Sequence, residues 1–166
     1  MQWMQLDNDE LNAPGPPRPA RDARRRSTSS ITTRVLIADD YVDAAKSLAL
    51  VLAVAGVETA IAMDGEEALA LAETWDPHIC VLDLLMPKLD GLDVARRIRA
   101  RGWSSCPLLI AMTGRTTAQD KRSALEAGFD HYMTKPADPA TIVRIIQRYT
   151  EANDVSRPAC DTSYRP

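Results

Sequence analysis

Five residues able to do chemistry each follow a short apolar run: Asp39 and Asp40 after RVLIA, Asp83 after HICVL, Thr113 after LLIAM and Lys135 after HYMT. If every run is a strand of one parallel sheet, all five share a single edge of it. Three carboxylates gathered there repel one another, and the usual relief is a shared proton or a bound hard cation. An oxygen-only set with few protein ligands suits Mg²⁺, which keeps several waters and leaves room for a phosphoryl oxygen. Lys135 offers a compact cation for phosphoryl charge and Thr113 a hydroxyl donor. Together they read as a place where a carboxylate accepts a phosphoryl group beside Mg²⁺.

Singly, each residue has an ordinary role. Asp39 and Asp40 are suited to capping the helix that follows them, Asp83 to a strand-end turn, Thr113 to a cap or turn, and Lys135 to a solvated surface. The case for chemistry therefore rests on the elements that would bring them together.

From residue 34 the chain alternates strand-like and helical segments. Arg34 to Ala38 is continuous and apolar, as for a strand covered on both faces. Val42 to Ala55 places Ala45, Leu48, Leu52 and Ala55 at helical spacing and ends at Gly56, suited to a left-handed cap. Val57 to Met63 reads as a second strand, and Asp64 with Glu67 as the capping box of a second helix. His78 to Leu82 is the third strand. A loop with Pro87 and Gly91 leads to a helix ending near Arg101 and Gly102. Leu108 to Met112 is the fourth strand, and Thr116 with Gln119 fits a helix start, that helix closing at Gly128. His131 to Met133 is a short fifth strand, and Asp138 and Pro139 open a last helix carrying Ile142, Ile145, Ile146 and Tyr149. Five β-then-α units predict an α/β fold, a single doubly wound five-stranded parallel sheet with five helices. In such sheets ligands bind beyond the carboxyl ends of the strands.

Composition sets the boundaries. The chain has 166 residues and a net charge of −3, enough for one domain with its own core. Residues 1–33 hold four prolines, an Arg24–Arg26 run and a Ser/Thr cluster, and are expected to be a disordered N-terminal tail. Residues 34–151 form the domain and 152–166 a flexible C-terminal tail. With five Arg against four acids before residue 34 and two of each after 151, the domain itself carries −4. That acidity argues against nucleic acid as a partner. The longest apolar runs fall short of a membrane span, and the N-terminus lacks the basic start and apolar stretch of a signal peptide. A cytoplasmic protein without membrane contact is expected. Cys80, Cys106 and Cys160 are too scattered for a disulfide framework or a zinc knuckle, and His78 and His131 read as structural.

VLIADD at 35–40, VLDLLMPKLDG at 81–91, MTG at 112–114 and TKP at 134–136 resemble the receiver domain of two-component response regulators, of the stand-alone chemotaxis-regulator type, over essentially all of 34–151. The resemblance implies a flavodoxin-like sheet of order 2-1-3-4-5. It implies that Asp83 accepts a phosphoryl group from a histidine kinase or histidine phosphotransfer protein. It also implies that Asp39, Asp40, Asp83 and the Leu85 carbonyl hold Mg²⁺, and that Lys135, followed by a cis Pro136, binds the phosphoryl oxygen. Thr113 and Tyr132 would be the switch residues, and Leu85 and Arg115 would flank the phosphoryl group and bear on its lifetime. Such a domain is no turnover enzyme and acts only on its own phosphorylation and dephosphorylation. Ala137 stands where the family commonly has an aromatic residue.

Other readings exist for the same residues. An aspartyl-phosphate phosphatase of α/β fold would need a second carboxylate two residues after the nucleophile, and that position is Leu85. A flavin-binding module would need a Ser/Thr/Gly-rich loop after the first strand, which ADDYVD does not provide. The short segment after the last helix is expected to leave room for no effector domain, so output passes through a protein partner, from a monomer or homodimer. A receiver fragment of a hybrid histidine kinase remains the alternative.

Overall fold

The computed structural model describes residues 32–101, 106–114 and 116–153. They run in the order β1 (Arg34–Ala38), α1 (Val42–Val54), β2 (Glu58–Ala62), α2 (Gly65–Trp75), β3 (Ile79–Asp83), α3 (Gly91–Ala100), β4 (Leu108–Thr113), α4 (Ala118–Glu126), β5 (His131–Thr134) and α5 (Pro139–Asn153). All strand pairs are parallel. The sheet order is β2-β1-β3-β4-β5, as expected.

Strand burial explains the layers. Every residue of β3 and all of β1 after Arg34 are buried, so alternate side chains feed two cores. Leu36, Cys80, Leu82, Leu109 and Ala111 pack beneath α2 and α3, with Ala124 of α4 joining them. Val35, Ile37, Ile79, Val81, Ile110 and Met112 pack beneath α1 and α5 through Leu48, Leu52, Ile142 and Ile146. β1, β3 and β4 contribute to both cores and form the middle of the sheet.

Most local signals hold, with small displacements. Gly56 adopts the left-handed conformation expected of it, φ +79°. Ala55, expected as the last helical residue, is the exposed cap of α1, which ends at Val54. Asp64 caps α2 by accepting the Glu67 N–H at 2.9 Å, but the Glu67 carboxylate takes the N–H of Met63, one residue earlier than a standard box. At α4 the capping box is Thr117 with Asp120, one residue later than Thr116 with Gln119. Asp138 caps α5 through the Ala140 N–H. His78 is buried at the amino edge of the sheet, its Nδ1 accepting the Arg34 N–H at 3.0 Å, a structural role as expected.

Cys80 is a buried free thiol in β3. Cys106 is disulfide-bonded, against the expectation of no structural disulfide. Most of the two expected tails, 1–31 and 154–166, lies outside the described residues. Among the described residues no helix is long and apolar enough to cross a membrane.

Candidate functional site

Register brings the five residues together. Ala38 pairs with Leu82, so Asp39 and Asp83 leave adjacent strands side by side. Asp83 pairs with Met112, which puts Thr113 one step beyond it, and Thr113 pairs with Thr134, which Lys135 follows. A chain separation of 96 residues between Asp39 and Lys135 thus closes to a contact.

The Lys135 Nζ donates to Asp39 Oδ2 and to Asp83 Oδ2, each at 2.6 Å. The remaining oxygens turn inward to their own loops: Asp39 Oδ1 accepts the Tyr41 N–H at 3.0 Å and Asp83 Oδ1 the Leu85 N–H at 3.1 Å. Both carboxylates are therefore held from two sides. Asp39 and Asp83 are buried, whereas Asp40 is exposed. Burial alone would lower the Lys135 pKa, but its hydrogen bonds to Asp39 and Asp83 outweigh that and hold it above the usual lysine value. The Lys135–Pro136 peptide is cis, as expected.

One carboxylate oxygen from each of Asp39, Asp40 and Asp83 lies within 4.8 Å of the others. Three aspartates and one lysine give a formal charge of −2 in a partly buried pocket, and hard oxygen donors match a hard divalent cation. The residues fit such an ion.

The other expected residues are placed unevenly. Thr113 is fully buried at the end of β4, and its carbonyl accepts the Lys135 N–H at 2.8 Å. Leu85 is 53% exposed beside Asp83 and carries no carboxylate. Tyr132 is half-buried against the core beneath α2 and α3, with the Lys121 ammonium 6.0 Å from its ring centre. Arg115 lies outside the described residues. Ala137 packs against the core beneath α1 and α5, so the missing aromatic leaves it in contact. Beside Lys135 an apolar groove of ≈ 530 Å³ runs between α1 and the start of α5, lined by Ser47, Leu48, Val51, Pro136 and Ile142 among others.

Two contacts of the site had no reading in the sequence. Gly91 packs so closely under the β3–α3 loop that a Cβ there would penetrate the Asp83 carbonyl. Lys88, in the same loop, reaches Asp64 at the start of α2 with a 2.6 Å ion pair. Gly91 was visible as the end of a motif, but its neighbour across the turn was not. Nothing local to Lys88 marks Asp64 as its partner.

The response regulator receiver domain family model matches residues 35–147. A 14.6 kDa protein of Leptolyngbya boryana is 34% identical over 115 residues, covering 69% of this chain and 88% of that protein. The alkaline phosphatase synthesis transcriptional regulatory protein PhoP of Bacillus subtilis is 34% identical over 128 residues, covering 77% of this chain and 52% of its own length. This chain thus spans about half of that regulator, and likewise 52% of the DNA-binding response regulator MtrA of Mycobacterium tuberculosis, to which it is 35% identical. Among solved structures, the receiver domain of the Francisella response regulator 1452 superimposes with a TM-score of 0.68 at 27% identity, covering 73% of this chain and 98% of that one.

Proposed function

The chain belongs to the response regulator receiver family, and from that premise we propose that Asp83 is its phosphoacceptor, served by Lys135, Thr113 and a Mg²⁺ ion. Receiver domains act on their own phosphorylation state and not as turnover enzymes, and the exposed, apolar Leu85 supports this by leaving no general acid two residues from Asp83. The observation that carries the reading is the Lys135 ammonium bridging two buried carboxylates, with Asp40 alongside.

The proposed donor is a phosphohistidine on a histidine kinase or phosphotransfer protein. The Asp83 carboxylate attacks its phosphorus; an O–P bond forms, the N–P bond breaks, and the imidazole leaves with the electron pair. The Leu85 N–H and Lys135 orient the carboxylate for that attack. Lys135 is then positioned to follow the new negative charge onto a phosphoryl oxygen, and Thr113 to donate to another. Asp39, Asp40, Asp83 and the Leu85 carbonyl would hold Mg²⁺, which when bound offsets the negative charge of the phosphoryl oxygens. Transfer leaves a dianionic group at the sheet edge, and Thr113 and Tyr132 would carry its effect to the surface of α4, β5 and α5. The groove beside Lys135, together with Tyr41 and Val42 exposed at the start of α1, offers the donor an apolar landing place near Asp83.

Intact-mass spectrometry after incubation with acetyl phosphate tests the reading. The expected result is a gain of one phosphoryl group that requires Mg²⁺ and disappears in Asp83→Asn. Equal labelling of that variant would exclude Asp83 as the acceptor.

A further inference from the structure

The turn between β2 and α2 touches both loops that carry the acids. On one side the Ala62 carbonyl accepts the N–H of Asp39 at 3.1 Å. On the other, Gly65 donates to the Pro87 carbonyl at 3.5 Å, four residues past Asp83. Gly65 sits so close to this loop that a Cβ would penetrate the Leu89 carbonyl.

Lys88 and Asp64 close the same junction. Lys88 holds a left-handed backbone, φ +64°, which lysine adopts less readily than glycine or asparagine. Its ammonium reaches Asp64 Oδ2 at 2.6 Å. The Asp64 side chain is only 13% exposed, and its other oxygen is committed to the α2 cap. The hydrogen bond from Lys88, then that from the Glu67 N–H, hold the Asp64 carboxyl below its ordinary range, while Asp64 in turn raises Lys88. The end of β2 and the start of α2 are therefore fastened to the Asp39 backbone and, through the Lys88 ion pair, to the loop that follows Asp83.

We propose that Lys88 and Asp64 are positioning residues: their pair clamps the β3–α3 loop against the β2–α2 turn, fixes Asp83 and Leu85 relative to Asp39, and so sets the divalent-cation affinity of the acid cluster. The inference rests on the reading of that cluster as a Mg²⁺-dependent phosphoacceptor. It also carries a sign that simple charge does not. Removing the Lys88 charge makes the surroundings more negative and by Coulomb's law tightens Mg²⁺ binding; loss of positioning loosens it.

Isothermal titration with MgCl₂, at a temperature where circular dichroism shows every protein folded, separates the two. Lys88→Met removes the charge and keeps the length, Lys88→Gly eases the backbone but removes the tether, and Lys88→Arg keeps a cation. The expectation is that Met and Gly weaken Mg²⁺ binding roughly tenfold, as removal of outer partners of metal ligands does, while Arg stays near the native Kd. Unchanged or tighter binding in Lys88→Met and Lys88→Gly overturns the proposal, whatever happens to their melting temperatures. Acetyl phosphate labelling of the native protein and of Asp83→Asn, run in parallel, keeps the two readings apart. Native labelling with unaltered Kd values in the variants defeats the clamp alone, whereas a native protein that neither binds Mg²⁺ nor is labelled defeats both.

Discussion

Lys135 holds two buried carboxylates that have few other partners, which makes it a stability residue as well as a functional one. Removing one member of a buried charged set leaves the others desolvated and unpaired. Because the Lys135 side chain is 26% exposed, the penalty is partly relieved by water. Lys135→Met should lower unfolding free energy by about 3 kcal/mol in EDTA, and by less in Mg²⁺, where a cation replaces the lost charge. Urea titrations in the two buffers measure it; an equal loss in both would mean that the ion does not enter this pocket. The pH dependence has a definite sign. Lys135 is raised above the ordinary lysine value of 10.5, so the stability it confers is complete below that value and is lost as pH rises through the higher folded value. In chelator, the native protein should lose stability relative to Lys135→Met in that alkaline range, measured by the same titrations.

The turns between elements fix the active edge, and they divide into those that support the site and those that support the sheet. Gly91 lies under the Asp83 carbonyl, so Gly91→Ala should cost about 2 kcal/mol by overpacking and also slow labelling by acetyl phosphate, since the displaced loop carries the nucleophile. Arg99 works at the other edge. Its guanidinium donates to the carbonyls of Gly128 and Pro107 and to the Asp130 carboxylate, tying α3 to the start of β4 and the turn before β5. Arg99→Met should cost a comparable ~2 kcal/mol through unsatisfied acceptors, yet leave the labelling rate unchanged. A slowed rate there would show that the two edges are coupled.

The same division explains what the sequence disclosed. Strand ends and the acids following them were legible because apolar runs and caps are local signals. The register that joins Asp39 to Lys135 then follows from parallel pairing. The Asp64–Lys88 pair was not legible, because it links two turns by tertiary packing alone. The start of α4 was misplaced by one residue because Thr116 and Thr117 both precede a polar residue by three. The Asp120 carboxylate, accepting from both the hydroxyl and the N–H of Thr117, prevails over Gln119. The exposed Leu50, Val51 and Val54 escaped notice for a related reason: periodicity finds the face of α1 that meets the sheet and does not say whether the opposite face is apolar too.

At the scale of the molecule, the acid cluster sits at the ends of β1 and β3, strands that contribute side chains to both cores. The loops that carry the acids continue directly from the sheet, and the two cores share its central strands. Cation binding should therefore register in global stability. For a ligand that binds only the folded state, stability rises by about 2.7 kcal/mol at a hundred times its Kd. Native protein should gain about this much in Mg²⁺, with tryptophan fluorescence and far-ultraviolet circular dichroism reporting the same shift, as a two-state transition requires. Asp83→Asn, which removes a central carboxylate of the cluster, should lose most of the gain while keeping a cooperative transition. If Asp83→Asn gained as much as the native protein, Mg²⁺ would be acting elsewhere on the surface. Divergent transitions from the two probes would instead show that the faces unfold separately, and that the strands they share do not bind them into one unit.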